Sequence, residues 1–217
     1  MTARAVALFA QGYTDLVSVM PSKEPISPGS KITPSQRGKT PGRKLANGTW
    51  AGYDWLRTPA TLEDVKRWTQ DGANFGLLAG RFPAVDIDCT DPHLSAELVA
   101  LAHRMLGAAP VRVGQAPKAL LPYRLEGAPF SRMALLIYPE GKGPTKPVHL
   151  LEVLGAGRQY LINGTHPTGT PYLWSEPLPA PGQLSPLSRE AVDAFFKEAT
   201  FLLEVLPGCE VERIGDG

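Results

Sequence analysis

The pattern of apolar and polar positions predicts a chain of short strands interleaved with a few helices. Helical periodicity and capping residues predict helices at residues 3–11, 61–71, 92–106 and 189–206. Apolar runs between turn residues predict strands at residues 15–20, 111–114, 118–125, 133–138, 148–154 and 160–162, and in the apolar stretch that carries Asp86 and Asp88. Residues 74–80 read as a tight glycine turn, and residues 139–146 as a further turn. This mixture predicts the α+β class.

Length and composition indicate one globular protein. The 217 residues are 43% hydrophobic, which suffices for a single core. We expect one domain over residues 1–217, with an N-terminal portion at 1–70, a core at 71–175 and a proline-rich segment with a C-terminal helix at 176–217. No apolar run approaches the ~18 residues of a membrane span. Cys89 and Cys209 lack nearby Cys or His partners, which argues against a zinc module or a disulfide framework. We therefore expect a cytoplasmic protein without a membrane partner.

One segment of this chain is strongly basic. Its net charge is only +1, so any binding of nucleic acid would depend on local patches. Residues 22–48 are rich in Pro, Gly and Ser and hold six basic residues against Glu24. The segment fits a solvated connection, but long loops are often functional. The candidate DNA-binding residues in it are Arg37, Lys39, Arg43 and Lys44.

Three carboxylates stand in apolar surroundings. Side chains two apart on a strand share a face, about 6.6 Å apart, so Asp86 and Asp88 could hold one ion. Magnesium prefers such hard oxygen ligands. An Asp-x-Asp pair also fits a strand end or a helix cap. Glu152 lies in the apolar run at 150–154, where a buried carboxylate needs a cation.

Several motifs occur together in a familiar order. They are Asn74-Phe-Gly76, Gly80, Asp86-Ile-Asp88, Glu152, Gly155 to Tyr160, Gly164-Thr-His166-Pro167 and Tyr172-Leu-Trp174. This order resembles the N-terminal catalytic domain of bifunctional DNA primase-polymerases, members of the archaeo-eukaryotic primase superfamily found in phages and mobile elements. The resemblance runs from the first helix to about Trp174.

The resemblance implies a fold and an activity. The fold would be archaeo-eukaryotic primase-like, with an RRM-like antiparallel sheet, flanking helices and an N-terminal α/β subdomain. The activity would be that of a template-dependent DNA primase-polymerase, a nucleotidyltransferase that adds NTP or dNTP to a primer or an initiating nucleotide. Asp86, Asp88 and Glu152 map onto acids that hold two Mg²⁺ or Mn²⁺ ions. The implied partners of a monomer are single-stranded DNA, nucleotides and a helicase in cis or in trans.

The residues that would bind the nucleotide phosphates follow less directly. The superfamily often has a Ser-x-His motif between the acids, and this chain has Gly114-Gln-Ala-Pro-Lys118 instead. We expect Lys118 and Arg124 to share a strand face, and Arg158 to share the face of Glu152 if that strand continues. His166 fits either a phosphate ligand or an ordinary turn residue.

Other functions find less support in the sequence. A hydrolase with a nucleophile elbow needs G-x-S-x-G, which is absent from the sequence. A Walker P-loop would end in Gly38-Lys39-Thr40, but Thr33 stands where its first glycine should be. The alternatives left open are a metal-dependent nuclease, which could use the same acids, and a catalytically inactive replication protein that binds single-stranded DNA.

Overall fold

The computed structural model describes residues 2–139, 149–204 and 209–215. Over these ranges the chain forms α-helices at Thr2–Ala10 (α1), Leu62–Gln70 (α2), Pro92–Leu106 (α3) and Arg189–Glu204 (α4). Of these described helices, none combines the length and apolarity needed to cross a membrane. The four predicted helices are confirmed, except that the predicted end of the last one at Leu206 lies outside the described residues.

Capping side chains fix the starts of two helices, as the sequence predicts. The Thr61 hydroxyl accepts from the Asp64 backbone N–H at 3.1 Å, and the Asp64 carboxylate accepts in return from the Thr61 N–H. The Asp91 carboxylate accepts from the Leu94 N–H at 2.9 Å, with Pro92 in the first helical position. These bonds satisfy backbone donors that a helix start leaves without partners.

The described strands are more numerous than those predicted. They are Leu16–Val19 (β1), Arg43–Lys44 (β2), Trp50–Ala51 (β3), Asn74–Leu78 (β4), Ala84–Ile87 (β5), Arg112–Val113 (β6), Ala119–Pro122 (β7), Arg124–Leu125 (β8), Met133–Pro139 (β9), His149–Leu154 (β10), Gln159–Asn163 (β11), Leu173–Trp174 (β12), Pro186–Leu187 (β13) and Cys209–Ile214 (β14). They divide between two compact units, Met1–Leu78 with Gln159–Leu173, and Ala79–Arg158 with Trp174–Gly217. The mixed α and β composition is confirmed, whereas the primase-like description stays a prediction.

The first unit contains a three-stranded antiparallel sheet in the order β1-β4-β11. The glycine turn predicted over residues 74–80 is present only at its end, at residues 79–80, because residues 74–78 form the middle strand. A Cβ at Gly76 would lie 2.3 Å from Gln159 Oε1 and 2.8 Å from Val17 Cγ2. This glycine therefore permits close contact with side chains of both neighbouring strands.

The basic segment at 22–48 is anchored to the first unit. Its Gly38 and Gly42 N–H groups donate to the carbonyls of Met20 and Ser18, both at 3.0 Å. Ile32 packs in a buried cluster with Met20 and Trp50. The view of this segment as an unstructured loop is corrected, since β2 also pairs with β3. Lys39, Arg43 and Lys44 are nevertheless exposed.

The second unit contains a seven-stranded sheet in the order β12-β6-β7-β5-β10-β9-β14. From β6 to β14, each strand runs antiparallel to its neighbours in this order. The helices α3 and α4 pack against each other, and their apolar side chains join those of the sheet in one core. The last strand, β14, lies at an edge beside β9, and the sequence did not predict it. The turn predicted at 139–146 lies outside the described residues apart from Pro139.

The predicted strand at 118–125 is interrupted. Residues 119–122 pair with β5, whereas Arg124 and Leu125 pair in parallel with β13 in a separate two-stranded sheet. The Arg124 N–H donates to the Ser185 carbonyl at 3.0 Å. Pro122, which has no N–H to donate, ends the first of these strands.

Candidate metal and nucleotide site

Two of the predicted acids lie directly opposite each other in the seven-stranded sheet. Glu152 in β10 pairs with Asp86 in β5, and Asp86 also pairs with Leu120 in β7. Leu120 in turn pairs with Arg112 in β6. Residues directly opposite in an antiparallel sheet share a face, with Cβ atoms about 4.5–5.5 Å apart. Asp86 and Glu152 are therefore neighbours across the sheet.

Strand alternation explains why these acids share a face. Val85 and Ile87 flank Asp86, and Leu151 and Val153 flank Glu152; all four are buried in the core that includes α3 and α4. Because successive side chains of a strand point to opposite faces, the acids project away from that core. Asp88 follows directly after β5, which ends at Ile87.

The electrostatic surroundings of Asp86 make its charge costly. Burial is the largest cause that raises the pKa of Asp86, which reaches about 6, and the nearby Glu152 and Asp88 raise it further. The charges of Arg112 and Lys118 act in the opposite direction. A buried carboxylate beside two others would be stabilised by a cation.

Basic side chains contact the other two acids. Lys118 Nζ lies 2.5 Å from Asp88 Oδ1, and both side chains are partly exposed. Arg132 Nε donates to Glu152 Oε1 at 2.8 Å, and Arg132 Nη2 donates to the same oxygen. The sequence did not single out Arg132 or Arg112. The alternation of side chains in the predicted strand at 111–114 could have indicated the face on which Arg112 lies. The contact of Arg132 with Glu152 depends instead on the path of the chain before β9.

A bond from α3 holds the turn that presents Lys118. The Lys118 N–H donates to the Gln115 carbonyl at 3.0 Å. The hydroxyl of Ser95, a buried residue of α3, donates to the Pro117 carbonyl at 2.6 Å. Ser95 thus fixes the turn next to Lys118, and sequence reasoning missed it.

Two of the predicted phosphate ligands lie elsewhere in this unit. Arg124 lies beyond Pro122, which pairs with Ala84, whereas Lys118 lies at the other end of β7. Arg124 belongs to β8, which pairs with β13 in a separate two-stranded sheet, so the strand face expected to join Arg124 with Lys118 is not formed. Residues 155–157 form a turn after β10 ends at Leu154. The strand therefore does not continue to Arg158, as it would have to for Arg158 to share the face of Glu152. Arg158 is exposed.

The remaining candidates belong to the first unit. His166 lies in a turn, where its Nδ1 accepts from the Thr168 N–H at 3.2 Å and its ring meets Tyr172 edge-on at 5.9 Å. These contacts agree with the turn interpretation of His166. The candidate DNA-binding residues Arg37, Lys39, Arg43 and Lys44 lie in the anchored basic segment, with Arg37 half-buried.

Carboxylate oxygens suit Mg²⁺ and Mn²⁺, so the chemistry of Asp86, Asp88 and Glu152 fits the expected ions. Within the ranges that the structure describes, however, no three Asp, Glu, His or Cys side chains converge closely enough to enclose an ion. In the same ranges Asp88 contacts Lys118, and Glu152 contacts Arg132. The three-acid metal site stays a prediction.

Comparison with known proteins identifies the family. The family model described as bifunctional DNA primase/polymerase, N-terminal, matches residues 5–188. Comparison with curated proteins found no match to this chain. The matched range includes Asp86, Asp88 and Glu152 as well as the basic side chains beside them. Since the match spans most of the sequence, the chain belongs to the bifunctional DNA primase/polymerase N-terminal family.

Proposed function

We propose that this chain carries out template-dependent nucleotidyl transfer, with Asp86, Asp88 and Glu152 as the acids that hold two Mg²⁺ or Mn²⁺ ions. The observation that carries the proposal is the direct pairing of Glu152 with Asp86 across β10 and β5. Asp88 lies two residues later, just past the end of β5. The family provides the reaction class, because its members are DNA primases and polymerases.

The charges around the acids support this role. Asp86 is desolvated beside two carboxylates, so its ionised form needs positive charge nearby. Lys118 and Arg132 supply part of that charge through their contacts with Asp88 and Glu152. Bound divalent ions would lower the cost of ionising a primer 3′-hydroxyl and would neutralise the leaving pyrophosphate.

The basic side chains would then bind the triphosphate. When divalent ions are bound to Asp88 and Glu152, Lys118 and Arg132 would be available to contact the phosphates of an incoming nucleotide. Arginine binds phosphate through two parallel N–H groups, while lysine acts as a point charge. Arg112, in the same row as Asp86, is a third candidate for this role. Arg124, Arg158 and His166 have weaker geometric support.

A primer-extension assay tests the acids. Asp86→Asn and Glu152→Gln should each abolish extension of a labelled primer with Mg²⁺ or Mn²⁺, because each removes a ligand charge without changing size. Glu126→Gln is the matched control, since Glu126 is an exposed acid at the end of the short strand β8. Near wild-type extension by Glu152→Gln would contradict the three-acid site. Running the assay with NTPs and then with dNTPs, with and without a primer, would also determine nucleotide preference and initiation.

A kinetic test addresses Lys118. Lys118→Ala should raise the nucleotide KM more than it lowers kcat, because a phosphate contact acts in the ground state as well as in the transition state. Lys118→Arg, which keeps the charge beside Asp88, should recover part of the affinity. An unchanged KM with weaker DNA binding would assign Lys118 to the template path.

A second candidate function is binding of single-stranded DNA by an inactive site. It is favoured by the ion pairs of Asp88 and Glu152, which leave no preformed cluster of three acids over the described ranges. An inactive binder would shift single-stranded DNA in EDTA and extend no primer with any metal. Shortening of the labelled primer would instead reveal a nuclease. The wider setting, replication of a phage or mobile element together with a helicase, is an expectation that the family raises.

A further inference from the structure

The first unit contains a cavity that the proposed chemistry does not use. Its volume is about 420 Å³, and its walls come from residues 21–23 after β1, the end of α2, the start of β4 and the turn after β11. Cavities of roughly 300–1,000 Å³ are typical of small-ligand sites. The lining includes Gly164 and Thr165 of the Gly164-Thr-His166-Pro167 motif that stands out in the sequence.

One wall of this cavity is held rigidly. Asn74 is 5% exposed, and its amide donates to the Thr165 carbonyl and accepts from the Thr165 N–H, both at 3.0 Å. Gly164 lies so close that a Cβ there would be 2.1 Å from Asn74 Oδ1. The amide side chain therefore locks the turn against β4 and keeps polar groups at the cavity wall.

An aromatic side chain also belongs to this wall of the cavity. Phe75 lines the cavity next to Asn74 and is 4% exposed. Its ring lies 6.4 Å from that of Trp68, tilted by 52°, which supports it from α2. A cavity wall that combines apolar atoms with amide and hydroxyl groups suits a nucleobase, which has a flat apolar face and a polar edge.

The charge at the cavity is positive. Lys23 carries the one formal charge among the described residues that line it, and it is exposed. The neighbouring Ser22 contacts the Gly38 position, where a Cβ would lie 3.1 Å from Ser22 Cβ. Gly38 stands between Arg37 and Lys39 in the basic segment. The backbone of the basic segment thus lies close to the cavity rim at Ser22.

We propose that this cavity binds a nucleobase, with the adjoining phosphate held at Lys23. The nucleotide can come from a single strand or from free nucleotide, and the strand as its source rests on the proposed function. The basic residues beyond Ser22 favour the strand, because they can contact the phosphates that follow along it.

Thr69 provides the variant that fills the cavity. It lines the cavity from the last turn of α2, and its hydroxyl donates only within its own helix, to the Val65 carbonyl at 2.7 Å. Thr69→Phe should therefore occupy the space with little disturbance, and Thr69→Val is the matched control that removes only the hydroxyl. Lys23→Gln removes the charge, with Lys31→Gln as the control from the same segment.

Binding is measured on the full chain in EDTA, so that metal-dependent contacts at Asp86 do not contribute. The probes are a fluorescent dT oligonucleotide of 12 nucleotides, followed by anisotropy, and dAMP, followed by calorimetry. Thr69→Phe should weaken oligonucleotide binding about tenfold, and Lys23→Gln should reduce its salt slope by about 0.7. The two control variants should bind as the wild type does. Circular dichroism melting of Thr69→Phe checks that the fold is kept.

The outcomes of these measurements distinguish a single strand from free nucleotide as the source of the bound nucleobase. Weakened binding of the oligonucleotide but not of dAMP supports the cavity as part of the template path, and loss of dAMP binding alone supports a site for free nucleotide. Unchanged binding of both probes by folded Thr69→Phe, or no binding of either probe by the wild type, overturns the proposal. Primer extension by Asp86→Asn tests the proposed function independently, because it does not involve this cavity.

Discussion

Glu152 lies directly opposite Asp86 in the antiparallel pairing of β10 with β5. Each residue is flanked on its own strand by side chains buried in the core, so neither acid can turn to the other face without a shift of register. The pair is therefore fixed by the packing of the sheet, and its electrostatic consequences can be tested.

The stability of the metal-free protein should depend on the protonation of Asp86. Its pKa in the folded protein, about 6, lies above the usual value near 3.8. The folded state therefore binds this proton more tightly, and the associated stability is present below about pH 4 and lost as the pH rises through 6. Asp86→Asn should escape this loss, with a gain of up to about 3 kcal/mol at pH 7–8.

Urea unfolding in EDTA from pH 4 to pH 8 measures this effect. The difference in unfolding free energy between Asp86→Asn and the wild type should grow between pH 4 and pH 6 and then level off. A constant difference across the range would mean that burial does not perturb this carboxyl. Addition of Mn²⁺ at pH 7.5 should stabilise the wild type and leave Asp86→Asn nearly unchanged.

Arg132 and Glu152 should be energetically coupled through their side-chain contact. Their side chains are only 28% and 13% exposed, so water screens the pair weakly. A double-mutant cycle with Arg132→Gln and Glu152→Gln should give a coupling of about 1–3 kcal/mol. The exposed pair of Arg57 and Asp54, 4.0 Å apart, is the matched control and should give less than about 1 kcal/mol.

Removal of Arg132 should also strengthen metal binding. If Arg132 occupies the Glu152 carboxylate that an ion would use, Arg132→Gln removes both a competitor and a repelling charge. Titration of Mn²⁺ followed by electron paramagnetic resonance should show a lower Kd for Arg132→Gln than for the wild type. A higher Kd would indicate that Arg132 orients Glu152 for the ion instead.

Gly155 should be essential for the turn that follows Glu152. A Cβ at this position would lie 2.2 Å from the Phe130 carbonyl oxygen, a backbone atom that cannot move aside alone. Gly155→Ala should therefore lower the unfolding free energy by about 1–3 kcal/mol. Gly182→Ala, where no heavy atom lies within 4 Å of the added Cβ, is the control. Equal melting temperatures of the two variants would contradict this expectation.

The basic segment should contribute to DNA affinity through its exposed side chains. Replacing Lys39, Arg43 and Lys44 with Gln should flatten the salt dependence of single-strand binding, by about 0.7 in slope for each phosphate that the variant no longer neutralises. Arg37 is kept because it is half-buried. The control replaces the exposed Arg57, Lys66 and Lys197 with Gln. Equal slopes for both triple variants would make the segment a structural connection only.

The sequence by itself determined the local features and the family. The caps at Thr61 and Asp91 can be recognised from the sequence because a cap acts within three residues of its own position. The expectation that Asp86 and Asp88 share a face follows from the period of a strand. The ordered motifs were enough to suggest the family that the match over residues 5–188 then established.

Tertiary structure decided the relations between distant segments. The register that places Glu152 opposite Asp86, the approach of Arg132 to Glu152 and the bond from Ser95 to the Lys118 turn each join residues far apart in the chain. Residues 74–78 likewise form a strand rather than a turn because neighbours on both sides complete their hydrogen bonds. Such pairings depend on which elements meet in the folded core, and periodicity within one segment carries no information about its partner.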